Sequence, residues 1–377
     1  MKKCIIISDS FKGTLSSLQI CRIARETVSA FFPECQTVGI PVADGGEGTV
    51  DCFLEAIGAE AVTVPARGPY GESVQAVYAR KGALAVIEMA AAAGLPMVEG
   101  RGDPSMTTTY GVGQMIRHAV ENGCREILLG IGGSATNDGG CGCAASLGTR
   151  FYDESGAQFV PVGGTLGNIH HFDNAETKKL LAGVRVTVMC DVENPLYGPT
   201  GAAYVFAPQK GADEAMVRQL DCQLRALDRV FCRELGRSFA DIPGAGAAGG
   251  LGAGCMAFLG AELRSGIEAV LDTVDFDRRA RDADLIITGE GRIDSQSVHG
   301  KVISGIARRV RATGVPLVAI VGGIDESAAE AYDLGVTAMF SINREAKSFA
   351  ESASKSAVNY QRTLADLCRL LRAMPGH

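Results

Sequence analysis

The sequence of 377 residues has no surplus of positive charge: 36 lysines and arginines stand against 43 aspartates and glutamates, a net charge of −7. It lacks the diffuse basic field that nucleic acid or anionic lipid would need, so any anionic ligand must be held by local groups. No stretch supplies the roughly 20 uninterrupted apolar residues of a membrane span. The most apolar stretch, residues 82–98, is broken by Glu88 and Pro96. The apolar opening Cys4–Ile7 stops at Ser8-Asp9, too short for a secretory signal, and reads as a first strand. The 12 cysteines include no C-x-x-C pair, and the 5 histidines form no spaced ligand set with them. That excludes a disulfide scaffold and a structural zinc site, and it fits reduced thiols in a cytoplasmic protein. No G-x-x-x-x-G-K-[ST] is present either, because Ser295 stands where the first glycine ahead of Gly300-Lys301 belongs. A P-loop fold is therefore not expected.

Glycine is what the chain has in excess: 48 of 377 residues, nearly double the usual roughly 7%. Hydrophobic residues make up 46%, so the glycines belong to loops of a folded protein rather than to a low-complexity chain. Strand 4–8 leads into a helix whose Leu18, Cys21, Ala24, Val28 and Phe31 recur at three- and four-residue steps behind a Ser16 or Ser17 cap. Strand 37–42 and helix 49–57 follow. Extended runs 61–65, 74–80 and 84–89, separated by turn clusters, read as antiparallel hairpins. Helix 112–121, strands 126–130 and 185–190 and a long helix 213–235 come next. From residue 283 β-α alternation returns, with strands 285–288, 317–321 and 338–342. Two strands at the front and three at the back predict an α/β fold: a discontinuous doubly wound, flavodoxin- or Rossmann-like parallel-sheet domain of residues 1–60 plus 275–377. An α+β domain of residues 61–274 is inserted in it, with a ligand cleft between them. Two consecutive domains split near residue 240 are the alternative.

Open α/β sheets bind ligands outside the carboxyl ends of their strands. The residues there are Asp9-Ser10-Phe11-Lys12-Gly13-Thr14, Asp44-Gly45-Gly46-Glu47-Gly48-Thr49 and Gly289-Glu290-Gly291-Arg292-Ile293-Asp294-Ser295, with Gly300-Lys301 opening the next helix. Glycines let backbone N–H groups approach an oxyanion, lysine supplies point charge, and a carboxylate holds a divalent ion against phosphates. Together they are the parts of a phosphoryl-transfer site. Two more glycine loops lie in the middle, Gly130-Ile131-Gly132-Gly133-Ser134-Ala135-Thr136-Asn137-Asp138-Gly139-Gly140 and residues 244–252. The first is a phosphate nest by its strand, hydroxyls and glycines; the second reads at least equally as close packing of a small-residue helix. Asp191 ends a strand, where it suits a metal ligand, a base or an Asx turn. Lys210 reads as a surface-loop residue and His170-His171 as structural. Rival readings are a nicotinamide-dependent oxidoreductase, with Asp153 or Glu154 about 20 residues past Gly130, and a two-lobed solute-binding protein.

Taken together, Asp9–Lys12, Pro41–Thr49, Gly130–Gly140, Pro243–Gly250 and Thr288–Ser297 with Gly300-Lys301 resemble the type I glycerate kinases of bacteria, in order and across almost the whole chain. Ser8 stands where that family commonly has proline, and Val302-Ile303-Ser304 lacks the proline often found after the Gly-Lys pair. The resemblance implies ATP-dependent phosphorylation of D-glycerate with Mg²⁺, giving 2-phosphoglycerate, with 3-phosphoglycerate as the alternative, by a two-domain α/β enzyme that closes to exclude water. On that reading Asp44 and Asp191 share Mg²⁺ binding and proton acceptance, in an order left open, and Lys12 neutralises the phosphoryl or carboxylate charge. Ser10, Gly45, Gly46, Glu47, Gly132, Gly133, Ser134 and Thr136 bind substrate or phosphate. Arg292, Asp294 and Lys301 complete the site. The expected partners are small molecules only, neither nucleic acid nor membrane, and self-association is left open.

Overall fold

The computed structural model describes residues 1–43, 45–294, 302–345 and 348–374. The strands of its two main sheets are, in chain order, β1 (Lys3–Ser8), β2 (Gln36–Pro41), β3 (Glu60–Arg67), β4 (Ser73–Lys81), β5 (Leu84–Glu88), β6 (Glu126–Gly130), β7 (Arg185–Met189), β8 (Glu262–Arg264), β9 (Leu285–Gly289), β10 (Leu317–Val321) and β11 (Ala338–Ser341). The principal helices are α1 (Ser17–Phe31), α2 (Thr49–Ile57), α3 (Tyr110–Glu121), α4 (Cys141–Leu147), α5 (Glu214–Leu235) and α6 (Ser356–Ala373). Contacts divide the chain into two units: Met1–Ala43, Glu55–Ile57 and Ile267–His377 in one, Asp44–Leu54 and Gly58–Gly266 in the other.

The first unit is built on a sheet of order β11-β10-β9-β1-β2, parallel throughout. Ile5, Ile6 and Ile7 are fully buried in succession, as strands of a parallel sheet covered on both faces require, which is why β1 reads as an unbroken apolar run rather than an alternating one. On one face α1 contributes Cys21, Ala24 and Val28 and α6 contributes Tyr360, Leu364 and Leu367 to the same core. The start of α1 is fixed by a capping box between Ser16 and Gln19.

The sheet of the second unit has the order β8-β7-β6-β5-β4-β3. The expected hairpins are present, since β3, β4 and β5 pair antiparallel. Beyond β5 the sheet becomes parallel, with β5, β6, β7 and β8 running the same way. The inserted segment is thus a mixed sheet: α3 carries the chain back between β5 and β6, and a helical crossover returns a strand parallel to its predecessor. Tyr78, Met115, Ile116, Leu129 and Val188 fill its core. A second core gathers Phe151, Phe172, Phe231 and Phe258 edge-on under α5. It includes a sheet of Arg150–Tyr152, Gln158–Phe159 and His171–Asp173, strands too short to show a period in sequence. No helix among the described residues is long and apolar enough to cross a membrane. All twelve cysteines are free thiols.

Candidate active site

Parallel strands deliver their carboxyl ends to one edge, and in both units the polar loops lie there. In the first unit β1 is flanked by β2 on one side and β9 on the other. The chain winds away from β1 in opposite directions there, the switch point at which an open sheet leaves a crevice. Ser8 is level with Gly289, so Asp9, Ser10 and Lys12 emerge beside Glu290, Arg292 and Asp294. The Asp9 N–H donates to the Gly289 carbonyl at 2.9 Å, and the Ser10 N–H donates to Asp9 Oδ1 at 2.7 Å. A Cβ on Gly291 would lie 3.5 Å from the Lys12 backbone nitrogen, so the two segments run alongside each other. Lys12 is exposed, and Ser10 and Asp294 are half-buried. The exposed Arg292 donates to Asp325 at 2.7 Å, a bond that holds the Asp325 carboxyl below its usual range. Lys301 lies outside the described residues.

In the second unit the carboxyl ends of β5, β6 and β7 bring Glu88, the loop after Gly130 and Asp191 to one edge. Asp44 lies outside the described residues, but its successors cross this edge. The Gly132 N–H donates to the Gly45 carbonyl at 3.0 Å. A Cβ on Gly130 would come within 2.4 Å of Gly45 O, and one on Gly132 within 2.7 Å of Gly46 Cα. Backbone against backbone leaves no room for side chains, and this is the physical reason for that part of the glycine excess. The buried Glu88 carboxylate accepts the Val50 N–H at the start of α2 and so anchors the far end of the 45–48 loop; burial pushes its pKa up. Glu47 is exposed. Asp191 is exposed, and its Oδ1 accepts the Gly266 N–H at 2.8 Å. Gly45, Gly46, Gly132 and Asp191 are thus collected on one edge, while Ser10, Lys12, Arg292 and Asp294 are collected on the edge of the other sheet.

The loop after Gly130 is set from beneath by groups that the sequence reading passed over. Asp138 is fully buried and accepts from the Thr109 N–H (2.7 Å) and hydroxyl (2.8 Å), the Gly140 N–H (3.1 Å) and the Gly142 N–H (3.2 Å). Burial raises its pKa, and these donors oppose the rise. Lys210, expected on the surface, is only 2% exposed. Its Nζ donates to Ser134 Oγ at 2.8 Å and to the Thr136 carbonyl at 2.6 Å. Desolvation lowers its pKa to about 7, with the Asp138 charge acting the other way. In the same loop the Thr136 hydroxyl and both polar atoms of the Asn137 carboxamide are buried with no hydrogen-bond partner among the described residues. Orphaned groups of this kind cost about 1–3 kcal/mol each, which makes this cluster a candidate for partnering by a ligand or ordered water. The signals available in sequence were slight: a lysine close behind the apolar run Ala202–Phe206, and a carboxylate in a small-residue loop.

The other glycine loop is packing. A Cβ on Gly249 would sit 2.0 Å from Thr136 O, and one on Gly254 2.2 Å from Gly139 O, so residues 244–254 support the 130–140 loop from behind. Asp153 closes its own turn by accepting the Ala157 N–H at 2.9 Å. The strand before it, Arg150–Tyr152, pairs antiparallel with both neighbours, which removes the parallel β-α-β unit a dinucleotide fingerprint requires. The oxidoreductase reading falls with it. His171 stacks on Tyr152, and His170 packs edge-on against His171.

The profile described as the glycerate kinase family matches residues 4–372. A protein of Bacillus cereus named glycerate kinase is 42% identical over 364 residues, which cover 96% of each chain. One of Escherichia coli named glycerate 2-kinase is 42% identical over 343 residues, covering 90% of each. Among solved structures, a putative glycerate kinase 2 from Salmonella typhimurium superposes with a TM-score of 0.87 at 39% identity, over 99% of this chain and 98% of that one.

Proposed function

The chain belongs to the glycerate kinase family, and from that premise we propose how its residues carry the reaction. It is a kinase, and its reaction is the ATP-dependent phosphorylation of glycerate. The product we assign is 2-phospho-D-glycerate, in line with the relative named glycerate 2-kinase, with the 3-phosphate as the alternative. The setting we assign is the cytoplasm, where twelve free thiols stay reduced.

Phosphoryl transfer asks little covalent chemistry of a protein; it asks for placement and for charge neutralisation. We assign neutralisation of the transferring group to Lys12, an exposed cation at the switch point of the first unit's sheet. Gly132, Gly133, Ser134 and Thr136 hold an anionic oxygen, either a nucleotide phosphate or the glycerate carboxylate, with Gly45, Gly46 and Glu47 beside them. Ser10, Arg292, Asp294 and Lys301 contact substrate from the first unit's side. Asp44 and Asp191 divide proton acceptance and metal binding. A strand-end carboxylate such as Asp191, exposed and anchored by one backbone N–H, suits Mg²⁺, which takes one or two carboxylates and fills its octahedron with water and phosphate oxygens. When bound, Mg²⁺ would neutralise phosphate charge.

The observation that carries this assignment is the edge at β6, where close glycine contact meets a Thr136 hydroxyl and an Asn137 carboxamide that have no hydrogen-bond partner among the described residues. ³¹P NMR of the product from ATP, Mg²⁺ and D-glycerate tests it. We expect one phosphomonoester resonance, coupled to the C2 proton. A resonance coupled to the C3 methylene assigns the other hydroxyl, and no phosphomonoester removes the activity.

A further inference from the structure

Lysine is almost never fully buried without a paired charge or a full set of acceptors. Lys210 has two acceptors, both on the loop after β6, and the wholly buried Asp138 is the charged group whose field acts on it. No surface role accounts for this placement. The chemistry of Ser134 suggests what the lysine does. A hydroxyl has one proton and two lone pairs. With one lone pair taken by the Nζ–H at 2.8 Å, the hydroxyl proton cannot also point at Nζ and is left to donate elsewhere. The neighbouring Thr136 hydroxyl and Asn137 carboxamide are spent on nothing else among the described residues.

We propose that Lys210 is a positioning residue: by donating to Ser134 Oγ and the Thr136 carbonyl, its ammonium makes Ser134 an obligate donor toward an anionic oxygen of the substrate and holds Thr136 and Asn137 ready beside it. This rests on the reading that the 132–136 loop binds an anion. It goes further in naming a residue, 74 positions from Thr136 in the chain, that sets the polarity of that loop.

The arrangement has a direction in pH. Burial brings Lys210 down to about 7 while Asp138 opposes the shift. Below that value the ammonium donates and Ser134 is turned outward. Above it the neutral amine accepts the Ser134 proton, the hydroxyl offers lone pairs to the ligand, and a positive charge is gone. Affinity for the anion must therefore fall as pH rises through neutrality, and bound anion in turn favours the ammonium. The glycerate carboxyl, with a pKa of about 3.5, stays ionised across this range.

The test is steady-state kinetics between about pH 6 and 9 on the intact protein, Lys210→Met, Ser134→Ala and the double variant. KM for D-glycerate is read at saturating ATP, and KM for ATP at saturating D-glycerate. Methionine keeps the side-chain volume without a charge. We expect each single variant to raise one and the same KM by about tenfold, which identifies the anion as carboxylate or phosphate. The double variant should be no worse than Lys210→Met alone, and the rise of that KM above neutrality should vanish in Lys210→Met and shrink in Ser134→Ala, where only the direct loss of the Lys210 charge remains. Additive effects in the double variant, an unchanged KM in Lys210→Met, or a turnover that climbs through pH 7 only while Lys210 is present, as a proton acceptor would give, each overturn the proposal. If Lys210→Met does not fold, the comparison of unaltered protein with Ser134→Ala decides, because identical pH profiles overturn it. Should Ser134→Ala raise a KM that Lys210→Met does not, only this proposal fails. Should Ser134→Ala leave both KM values unchanged, the anion reading of the loop fails as well.

Discussion

The two units meet the same requirement, polar groups at the carboxyl ends of parallel strands, by opposite means. In the first, the candidate charges Lys12 and Arg292 stand exposed at the strand ends, above a core that is largely apolar but includes the buried Ser8, Thr288 and Glu290. In the second, the polar groups that matter are inside: Asn137 and Asp138 of the glycine-rich 130–140 loop are buried, as is Lys210, which donates to that loop. The difference teaches that exposed charges can be removed with the fold intact, whereas buried ones belong at once to the fold and to the site.

Asp138→Ala should show the largest effect. It leaves the Thr109, Gly140 and Gly142 donors buried without an acceptor and removes the negative field on Lys210. Breaking a buried charged network in this way costs about 3 to 5 kcal/mol, read from urea unfolding. A loss under about 1 kcal/mol would mean that the interior polar groups are dispensable, and the contrast between the units would collapse. Lys12→Ala is its counterpart. Turnover should fall on the order of a hundredfold, because a cation aimed at developing charge is strengthened in the transition state. Stability should stay within about 0.5 kcal/mol. Near-normal turnover would strip Lys12 of its role and leave the family assignment standing.

How much of this was legible beforehand follows from where each signal lies. The parallel sheet of the first unit could be read from Ile5–Ile7 and from the β-α alternation after residue 283, because burial on both faces writes an unbroken apolar run. The strand-end loops were readable by the same rule. Lys210 was misread because a charged residue next to glycine looks like a surface loop; its burial depends on Ser134 and Thr136, over 70 positions away, and no local pattern records that. The short strands around Phe151 and Phe172 were missed because three residues cannot display a period.

Gly133→Val should have a smaller effect that falls on both fold and site. Gly133 has φ +72, a left-handed conformation, and the nearest atom to an added Cβ is Ala90 Cβ at 3.6 Å. There is room for the added Cβ, so the first cost is the backbone strain of about 1 to 2 kcal/mol for an L residue there. If the loop relaxes to relieve it, the N–H groups around Ser134 turn away and substrate affinity falls before the melting temperature does. Unchanged affinity for both ATP and glycerate would reduce the loop to packing.

Arg292→Ala should affect stability least, and it separates two explanations of one ion pair. The guanidinium donates to Asp325 at 2.7 Å, but both groups face solvent, where screening and side-chain entropy leave such pairs nearly neutral. The Asp325 carboxyl is held below its ordinary value, first by the hydrogen bond from Arg292. Its contribution is therefore present above the unfolded carboxylate pKa and is lost as pH falls through the folded one. Between pH 6 and 8 the melting temperature of Arg292→Ala should match that of the unaltered protein to within the small contribution of an exposed pair, and in acid even that small difference should vanish. A surface pair with no other duty predicts unchanged kinetics as well. A site residue predicts that the KM for ATP or glycerate rises while the melting temperature does not, since a charge at the switch point that contributes nothing to folding has been kept for something outside the chain. If the protein instead loses stability at neutral pH with its kinetics intact, Arg292 belongs with the buried network of the other unit, and the contrast between exposed and interior charge has been drawn in the wrong place.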